Sequence, residues 1–199
     1  MLVSYRHRLA ILSTPKCASV SLERALAPHM DLIARGNPTL KHTYFRKFDR
    51  FIRPYLESMS QEKFECICLF REPVDWMASW WRYRARDDVP DPRKSTKGMS
   101  FSTFVSDYLD DKRPPADIGR QSRFVANRDG EVGVDRLFRY DHMDRFVSYL
   151  EARLNTSIDL DHLNRSPSRE APDALPQALM ERAKKVLAAD FDIYHMIAE

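Results

Sequence analysis

The sequence ILSTPKCASVSLERAL, residues 11–26, contains an apolar run, a short polar turn and the beginning of a helix-like pattern. The apolar run predicts a buried strand over about residues 9–13. A helix leaves the N–H groups of its first turn without intrahelical partners, so a strand–turn–helix corner is suited to binding an anion. Lys16 adds a positive charge to this turn, and Ser19 and Ser21 add hydroxyl donors.

A second corner of the same type follows in FECICLFREPVDWMASW, residues 64–80. The nearly continuous apolar run 64–70 is typical of a central strand covered on both faces. Cys66 and Cys68 alternate within it and are expected to be small core residues on one side of the sheet. Pro73 suits the first position of the next helix, whose stripe of aromatic residues includes Trp80.

The remaining pattern alternates strands and helices. It predicts a short strand at 29–34, a helix over 45–56 that is interrupted at Pro54 and capped by Thr43, and a helix at 100–110. A strand at 134–140, a helix capped by Asp141 and a final helix at about 176–189 follow, with an exposed polar loop at 86–98. This order predicts an α/β fold with a central parallel sheet flanked by helices.

Length and composition narrow the class of protein. A chain of 199 residues, 43% of them hydrophobic, is expected to form one domain over 1–199. Its 32 basic and 29 acidic residues are spread along the chain, which argues against a nucleic-acid partner. The sequence contains neither an apolar run near the roughly 20 residues needed to cross a bilayer nor a signal-type cleavage site. We therefore expect a cytoplasmic protein without a membrane partner, and its oligomeric state is open.

The first corner is compatible with more than one phosphate chemistry. It lacks the G-x-x-x-x-G-K-[ST] pattern, which disfavours a standard ATPase and leaves a P-loop-like nucleotide kinase as an alternative. Cys17 lies where a helix N-terminus lowers a thiol pKa, but a cysteine phosphatase places five residues between its cysteine and arginine. Cys17 and Arg24 are separated by six. The cysteines lack zinc-like spacing, so no metal site is predicted.

The two corners together resemble the PAPS-dependent sulfotransferases, which use 3′-phosphoadenosine 5′-phosphosulfate (PAPS). PKCASVSLERAL resembles the family's 5′-phosphosulfate loop, commonly written P-K-x-G-[ST]-x-[SW]-L. LFREPVDWMASW resembles its 3′-phosphate motif, an arginine followed by a serine eight residues later, here Arg71 and Ser79. FRYDHM and LNRSPSR resemble later segments of the family, so the similarity covers most of the chain. It is strongest to the carbohydrate-sulfotransferase branch and its small bacterial relatives.

The resemblance implies a P-loop-NTPase-like sulfotransferase fold, PAPS as donor and no metal. The implied activity moves a sulfuryl group to a hydroxyl or amine of a small-molecule or carbohydrate-like acceptor and releases 3′-phosphoadenosine 5′-phosphate (PAP). The implied nucleotide-binding residues are Pro15, Lys16, Cys17, Ala18, Ser19, Val20, Ser21, Arg71 and Ser79.

Lys16 and His42 are the predicted catalytic residues. Lys16 would stabilise charge on the leaving phosphate. His42 is the predicted base, because it precedes a predicted helix N-terminus that favours neutral imidazole and because the family often uses His or Glu after its first helix. Glu62, His7 and Asp49 are the reserve candidates for this role.

Two residues depart from the family's pattern, and several others are weaker candidates for the site. Ala18 replaces the usual glycine, which hinders close backbone approach unless the residue adopts an ordinary helical φ, and Val20 replaces a frequent hydroxyl residue. These two departures leave a noncatalytic PAP- or PAPS-binding module as an alternative. Lys41 is expected to be solvated. Weaker candidates for ligand contact are Trp76, Trp80, Trp81, Arg82, Arg84, Arg86, Arg93, Lys94, Lys97, Arg120, Gln121 and Ser122.

Overall fold

A computed structural model describes residues 1–112, 114–160 and 174–197. The strands of the described chain are β1 Leu2–Ser4, β2 Leu9–Leu12, β3 Leu32–Ile33, β4 Glu65–Phe70 and β5 Arg136–Arg139. They form one five-stranded sheet in the order β3-β1-β2-β4-β5. β4 pairs in parallel with both β2 and β5, whereas β1 is antiparallel to both β2 and β3.

The sheet is therefore mixed rather than wholly parallel. The strand predicted at 9–13 is confirmed as β2, but an additional strand, β1, precedes it and forms a short hairpin with it. Arg8 closes this hairpin with a backbone hydrogen bond of 3.2 Å to the carbonyl of Tyr5 and has a positive φ of 52°. A strand of three residues is too short to produce a periodic signal, so β1 could not be recognised from sequence.

Helices cover both faces of the sheet. The α-helices of the described chain are α1 Ser19–Leu26, α2 Pro38–Lys41, α3 Phe45–Lys47, α4 Arg53–Ser60, α5 Pro73–Arg84, α6 Phe101–Leu109, α7 Gln121–Val125, α8 Met143–Leu154, α9 Gln177–Val186 and α10 Ala188–Met196. Three short 3₁₀ turns, Ala27–His29, Pro92–Lys94 and Tyr140–His142, join some of these elements. The α/β class is thus confirmed.

Successive residues of each strand point to opposite faces of the sheet and so belong to two separate hydrophobic cores. On one face, Ile11 and Ile67 pack with apolar residues of α1, α5, α6 and α8. On the other face, Cys66 and Cys68 pack with Phe48 and with residues of α3, α7 and α10. Both cysteines are fully buried, which confirms their prediction as core residues on one side of a central strand.

Three predicted helix boundaries need correction. The helix near Pro54 contains a π-helical turn, Phe48–Ile52, which lets the chain continue past a residue that has no N–H to donate. Thr43 is not a cap, because its hydroxyl donates to the carbonyl of Leu40 at 2.6 Å. Asp141 lies in the 3₁₀ turn before α8, and its carboxylate instead accepts hydrogen bonds from Arg139 at 2.9 Å and Tyr194 at 2.8 Å.

Other boundaries differ in extent. The strand predicted at 29–34 contains only Leu32–Ile33, and the final helix continues beyond 189 as α10. Helix α7 lies in a segment for which the sequence predicted neither a helix nor a strand. Across the described ranges, none of the helices is both long and apolar enough to cross a membrane.

The parallel strands determine where a site can form. Because β2, β4 and β5 run in the same direction, their carboxyl ends meet at one edge of the sheet. The turn after β2, Arg71 after β4 and Tyr140 after β5 all lie at this edge. Ligands of parallel α/β sheets bind at such an edge.

Candidate anion-binding site

The turn between β2 and α1 has an unusual backbone. Lys16 and Ala18 both have positive φ, 65° and 52°. Each left-handed residue other than glycine costs about 1–2 kcal/mol, and such strain concentrates at functional sites. Ala18 therefore does not adopt an ordinary helical φ, and it occupies a conformation that glycine, the family's usual residue, adopts more easily.

Helix α1 begins directly at this turn. Leu22 donates to the carbonyl of Ala18 at 3.0 Å, and no side chain caps the helix start. The N–H groups of Ser19 and Val20 consequently have no partner within the helix. The helix start is thus able to receive an anion.

Lys16 is held above aromatic rings and beside other cations. Its ammonium lies 3.9 Å from the ring centroid of Tyr83 and 5.6 Å from that of Trp80. Burial, together with the positive charges of Arg71 and Arg86, lowers the pKa of Lys16 from 10.5 to about 8. Lys16 forms no ion pair with a described carboxylate, whereas the neighbouring Arg71 and Arg86 are paired with Asp75 and Asp88.

Arg71 connects the two corners. Its guanidinium donates to the carbonyl of Lys16 at 2.8 Å and to the carboxylate of Asp75 at 2.6 Å, and it lies 4.3 Å from the ring centroid of Tyr140. The Arg71 side chain is only 11% exposed. These bonds use Nε and Nη1, which leaves Nη2 without a hydrogen bond to the described residues.

Cys17 is buried beneath the turn. Its thiol is 3.9 Å from the side-chain oxygen of Gln121, and burial raises the pKa of Cys17 far above its ordinary value. Arg24 is exposed on the outer side of α1. A buried, protonated thiol is a poor nucleophile, so this geometry does not support a cysteine phosphatase.

The other predicted nucleotide-binding residues lie close to the turn in sequence but differ in environment. Pro15 accepts a hydrogen bond of 2.9 Å from the indole of Trp76. Ser21 is buried, Ser19 is half-buried and Val20 is 46% exposed. Ser79 lies within α5 and is half-buried, and its hydroxyl makes no hydrogen bond to another described residue.

His42 lies near Pro15, the residue that precedes Lys16 in the turn, because both line the same pocket. Its Nδ1 is 2.6 Å from the carbonyl oxygen of Ser13. A carbonyl can only accept, so Nδ1 carries the proton and Nε2 is the ring nitrogen able to accept one. This tautomer suits a general base.

The electrostatic reason for a neutral His42 differs from the predicted one. His42 is the C-cap that follows the four-residue helix α2, and Thr43 and Tyr44 separate it from the start of α3. Burial lowers the pKa of His42, the hydrogen bond to Ser13 opposes that effect, and the nearby charges of Lys41 and Lys16 reinforce it. The imidazole is thus kept neutral by its surroundings.

A pocket of about 320 Å³ connects His42 with the turn. Its lining residues are Pro15, Pro38, Thr39, His42, Tyr44, Lys47, Trp80 and Ile118. Of the three tryptophans, Trp80 is the one that lines this pocket. Trp76 is buried, and Trp81 donates to the carbonyl of Met99 at 2.9 Å.

The reserve candidates for the base lie elsewhere. Glu62 precedes β4 and pairs with Arg8 at 2.9 Å, and His7 precedes β2, so both are at the amino ends of parallel strands. Asp49 pairs with Arg53, which also binds Asp135 just before β5. This edge is opposite the turn, and none of the three is positioned to serve it.

Several cations named from sequence have structural partners. Lys41 is not simply solvated, because it pairs with Glu23 at 3.0 Å. Arg84 is buried and donates to the carbonyls of Pro115 and Asp117. Arg120 donates to the carbonyl of Val186 at 2.7 Å.

Two more of the weaker candidates bind carboxylates of the protein itself. Ser122 donates to the buried carboxylate of Asp190 at 2.8 Å. Arg93, within the exposed 86–98 segment, pairs with Asp91 at 3.0 Å. The LNRSPSR segment lies outside the described residues.

Gln121 is the residue whose importance sequence reasoning underestimated. It is 1% exposed, accepts from the backbone N–H of Arg71 at 3.0 Å and donates to the carbonyl of Arg71 at 2.8 Å. Its side chain thereby fixes the backbone at the end of β4. A signal was present, since Gln121 shares the spacing of Phe124 and Val125 and so stands on an apolar helix face.

No protein-family model matches the chain, and no curated protein or solved structure matches it significantly. Within the described ranges, no group of three or more His, Cys, Asp or Glu side chains is arranged to hold a metal ion.

Proposed function

We propose that this chain is a PAPS-dependent sulfotransferase, which moves a sulfuryl group to a hydroxyl or amine of a small-molecule or carbohydrate-like acceptor. The proposal includes a P-loop-NTPase-like sulfotransferase fold and PAP as the second product. It combines the sequence resemblance of the two corners with the geometry of the edge where they meet.

The observation that carries the proposal is the concentration of positive charge at the β2–α1 turn. The pKa of Lys16 falls to about 8 through burial and the charges of Arg71 and Arg86, so the site is electrostatically unfavourable until an anion enters. The uncapped start of α1 faces the same turn. A ligand with several negative charges, such as PAPS, would relieve this repulsion.

The two ends of PAPS have separate candidates for binding. Lys16 and the N–H groups at the start of α1 would hold the 5′-phosphosulfate, whereas Arg71 and Ser79 would hold the 3′-phosphate. Arg71 has Nη2 available for such a contact, and a phosphate would compete with Asp75 for Nε. Arg71 also donates to the carbonyl of Lys16, so occupation of one subsite would affect the other.

The proposed chemical step needs a positioned acceptor, a base and charge stabilisation. The acceptor oxygen forms a bond to sulfur while the bond between sulfur and the bridging oxygen of PAPS breaks. The acceptor proton passes to Nε2 of His42, and PAP leaves with the electron pair of the broken bond. Lys16 stabilises the charge that develops on the leaving phosphate.

Calorimetric titration with PAP, PAPS and ATP tests the nucleotide assignment. We expect PAP and PAPS to bind and ATP to bind much more weakly. Tight ATP binding without any response to PAP would overturn the proposal in favour of a nucleotide kinase. If PAPS binds, transfer of labelled sulfate into a metabolite extract separates an enzyme from a noncatalytic binding module.

Variants separate nucleotide binding from proton transfer. Lys16→Ala should abolish transfer, and Arg71→Ala should weaken PAP binding about 10- to 100-fold, the equivalent of its lost charge-assisted bonds. Arg128→Ala, an exposed arginine of the turn before β5, is the matched control and should leave PAP affinity unchanged.

His42→Ala should lower turnover about a hundredfold or more with little change in PAP affinity, because it removes a base and not a nucleotide contact. His195→Ala, an exposed histidine of α10, is the control. Unchanged turnover in His42→Ala would remove His42 from the base role.

A further inference from the structure

The residues that line the pocket beside the β2–α1 turn indicate the chemical class of the acceptor. It lies between His42, the proposed base, and Pro15, the neighbour of Lys16 in the turn. An acceptor bound there would contact His42 and Trp80, and the ammonium of Lys16 lies 5.6 Å from the ring centroid of Trp80. Its volume of about 320 Å³ is near the lower limit for ligand pockets, which suits a molecule of one or two rings.

The walls of this pocket are mainly apolar and aromatic. Pro15, Pro38 and Ile118 supply aliphatic surface, and Tyr44 and Trp80 supply rings. Such surfaces bind a flat hydrophobic ring more favourably than a polyhydroxylated sugar, whose hydroxyl groups must each keep a hydrogen-bond partner when buried.

Neighbouring rings hold the two aromatic walls in place. Trp80 packs edge-to-face against Trp76, with centroids 6.2 Å apart, and against Tyr83 at 5.9 Å. Tyr44 packs edge-to-face against Phe124 at 5.3 Å. A wall that is already ordered loses little side-chain entropy when a ligand ring packs against it.

The polar groups of the pocket are few, and its formal charge is positive. Among the described residues no carboxylate lines it, and the lining residue with a permanent charge is Lys47, which forms no ion pair within the described chain. The ammonium of Lys47 is complementary to an oxygen-bearing, negatively charged substituent.

We infer that the acceptor is a small aromatic alcohol that carries an anionic group, such as a phenol with a carboxylate. This inference rests on the proposed function. The phenolic hydroxyl faces His42, the ring packs between the aromatic and proline walls, and the carboxylate pairs with Lys47. During transfer the phenolic oxygen bonds to sulfur, its proton passes to His42 and PAP leaves, so a sulfate ester is formed.

A transfer assay with labelled PAPS and three acceptors tests the inference: para-hydroxybenzoate, para-hydroxybenzamide and N-acetylglucosamine. We expect kcat/KM to be highest for the benzoate, about two- to fivefold above the benzamide, as an exposed ion pair provides. Both phenols should exceed the sugar. Lys47→Met should remove the preference for the benzoate, whereas Arg46→Met, an exposed cation of the same helix outside the pocket lining, should keep it.

The possible outcomes distinguish failure of the acceptor assignment from failure of the proposed sulfotransferase function. Failure of PAP to bind would overturn the sulfotransferase proposal itself. PAP binding with transfer to the sugar in preference to both phenols would overturn only the acceptor class. If none of the three is sulfated, titration of para-hydroxybenzoate into the PAP-loaded protein decides, because absence of binding there would also overturn the acceptor class.

Discussion

Replacing Lys16 with methionine should stabilise the protein at neutral pH while it abolishes nucleotide binding. Folding lowers the pKa of Lys16 from 10.5 to about 8, and one pKa unit corresponds to about 1.4 kcal/mol, so the charged lysine costs the folded state up to about 3 kcal/mol. The variant also loses the cation–π contacts with Tyr83 and Trp80, worth about 0.5–2 kcal/mol together. We expect a net gain of about 1–2 kcal/mol in the free energy of unfolding.

The pH dependence of this gain has a definite sign. Below about pH 8 the lysine is protonated in the folded and unfolded chain, so the full cost is present. Between about pH 8 and 10.5 only the unfolded lysine holds its proton, and the wild-type protein gains stability relative to the variant as pH rises. Above 10.5 the electrostatic advantage of Lys16→Met is gone.

Urea unfolding followed by circular dichroism, at pH 7 and at pH 10, measures both effects. Lys184→Met, an exposed lysine of α9, is the matched control and should change stability by less than about 0.5 kcal/mol at either pH. A Lys16→Met variant that is less stable than wild type at pH 7, or whose gain is the same at pH 10, would refute the argument that the site is electrostatically strained.

The remaining predictions concern the backbone and the buried partners of the same corner. Ala18→Gly relieves a left-handed backbone and should raise the free energy of unfolding by about 0.5–1 kcal/mol after the entropic cost of glycine, whereas Ala25→Gly inside α1 should lower it by about 1 kcal/mol. Thermal unfolding measures the pair, and a destabilised Ala18→Gly would contradict the backbone assignment. Gln121→Met leaves the buried N–H and C=O of Arg71 unpaired and should cost about 1–3 kcal/mol in urea unfolding, so unchanged stability would contradict its bridging role. Cys17 is 2% exposed and burial raises its pKa, so iodoacetamide at pH 8 should label it only after the protein unfolds. Mass spectrometry of the native and the urea-treated protein measures this labelling, and rapid labelling of the native protein would show that Cys17 is not buried.

Local patterns were sufficient for the elements that build the two corners. The apolar run 64–70 and Pro73 identified β4 and the beginning of α5, and the apolar spacing of Phe101, Phe104 and Val105 identified α6. These elements are long or sharply bounded, so their residues carry enough periodic signal. Short elements such as β1 and α7 carry too little, and they depend on partners distant in sequence for their stability.

Only the tertiary structure showed which distant side chains contact the two strand–helix corners. The sequence predicted that Lys16 lies in the first strand–helix turn and Arg71 at the second, since the amino-acid types and their local order indicate both. It could not show that Arg71 donates to the carbonyl of Lys16, that Gln121 holds the end of β4, or that Glu62 and His7 lie at the opposite edge.

The protonation of the site residues likewise depends partly on local sequence and partly on the tertiary structure. A strand–turn–helix sequence implies open N–H groups and a nearby cation, because both follow from local geometry. Whether Lys16 remains readily protonated and which nitrogen of His42 carries a proton depend on burial and on groups far apart in the chain, Arg71, Arg86 and the carbonyl of Ser13. Electrostatic energies depend on distances through space, and only the folded chain sets those distances.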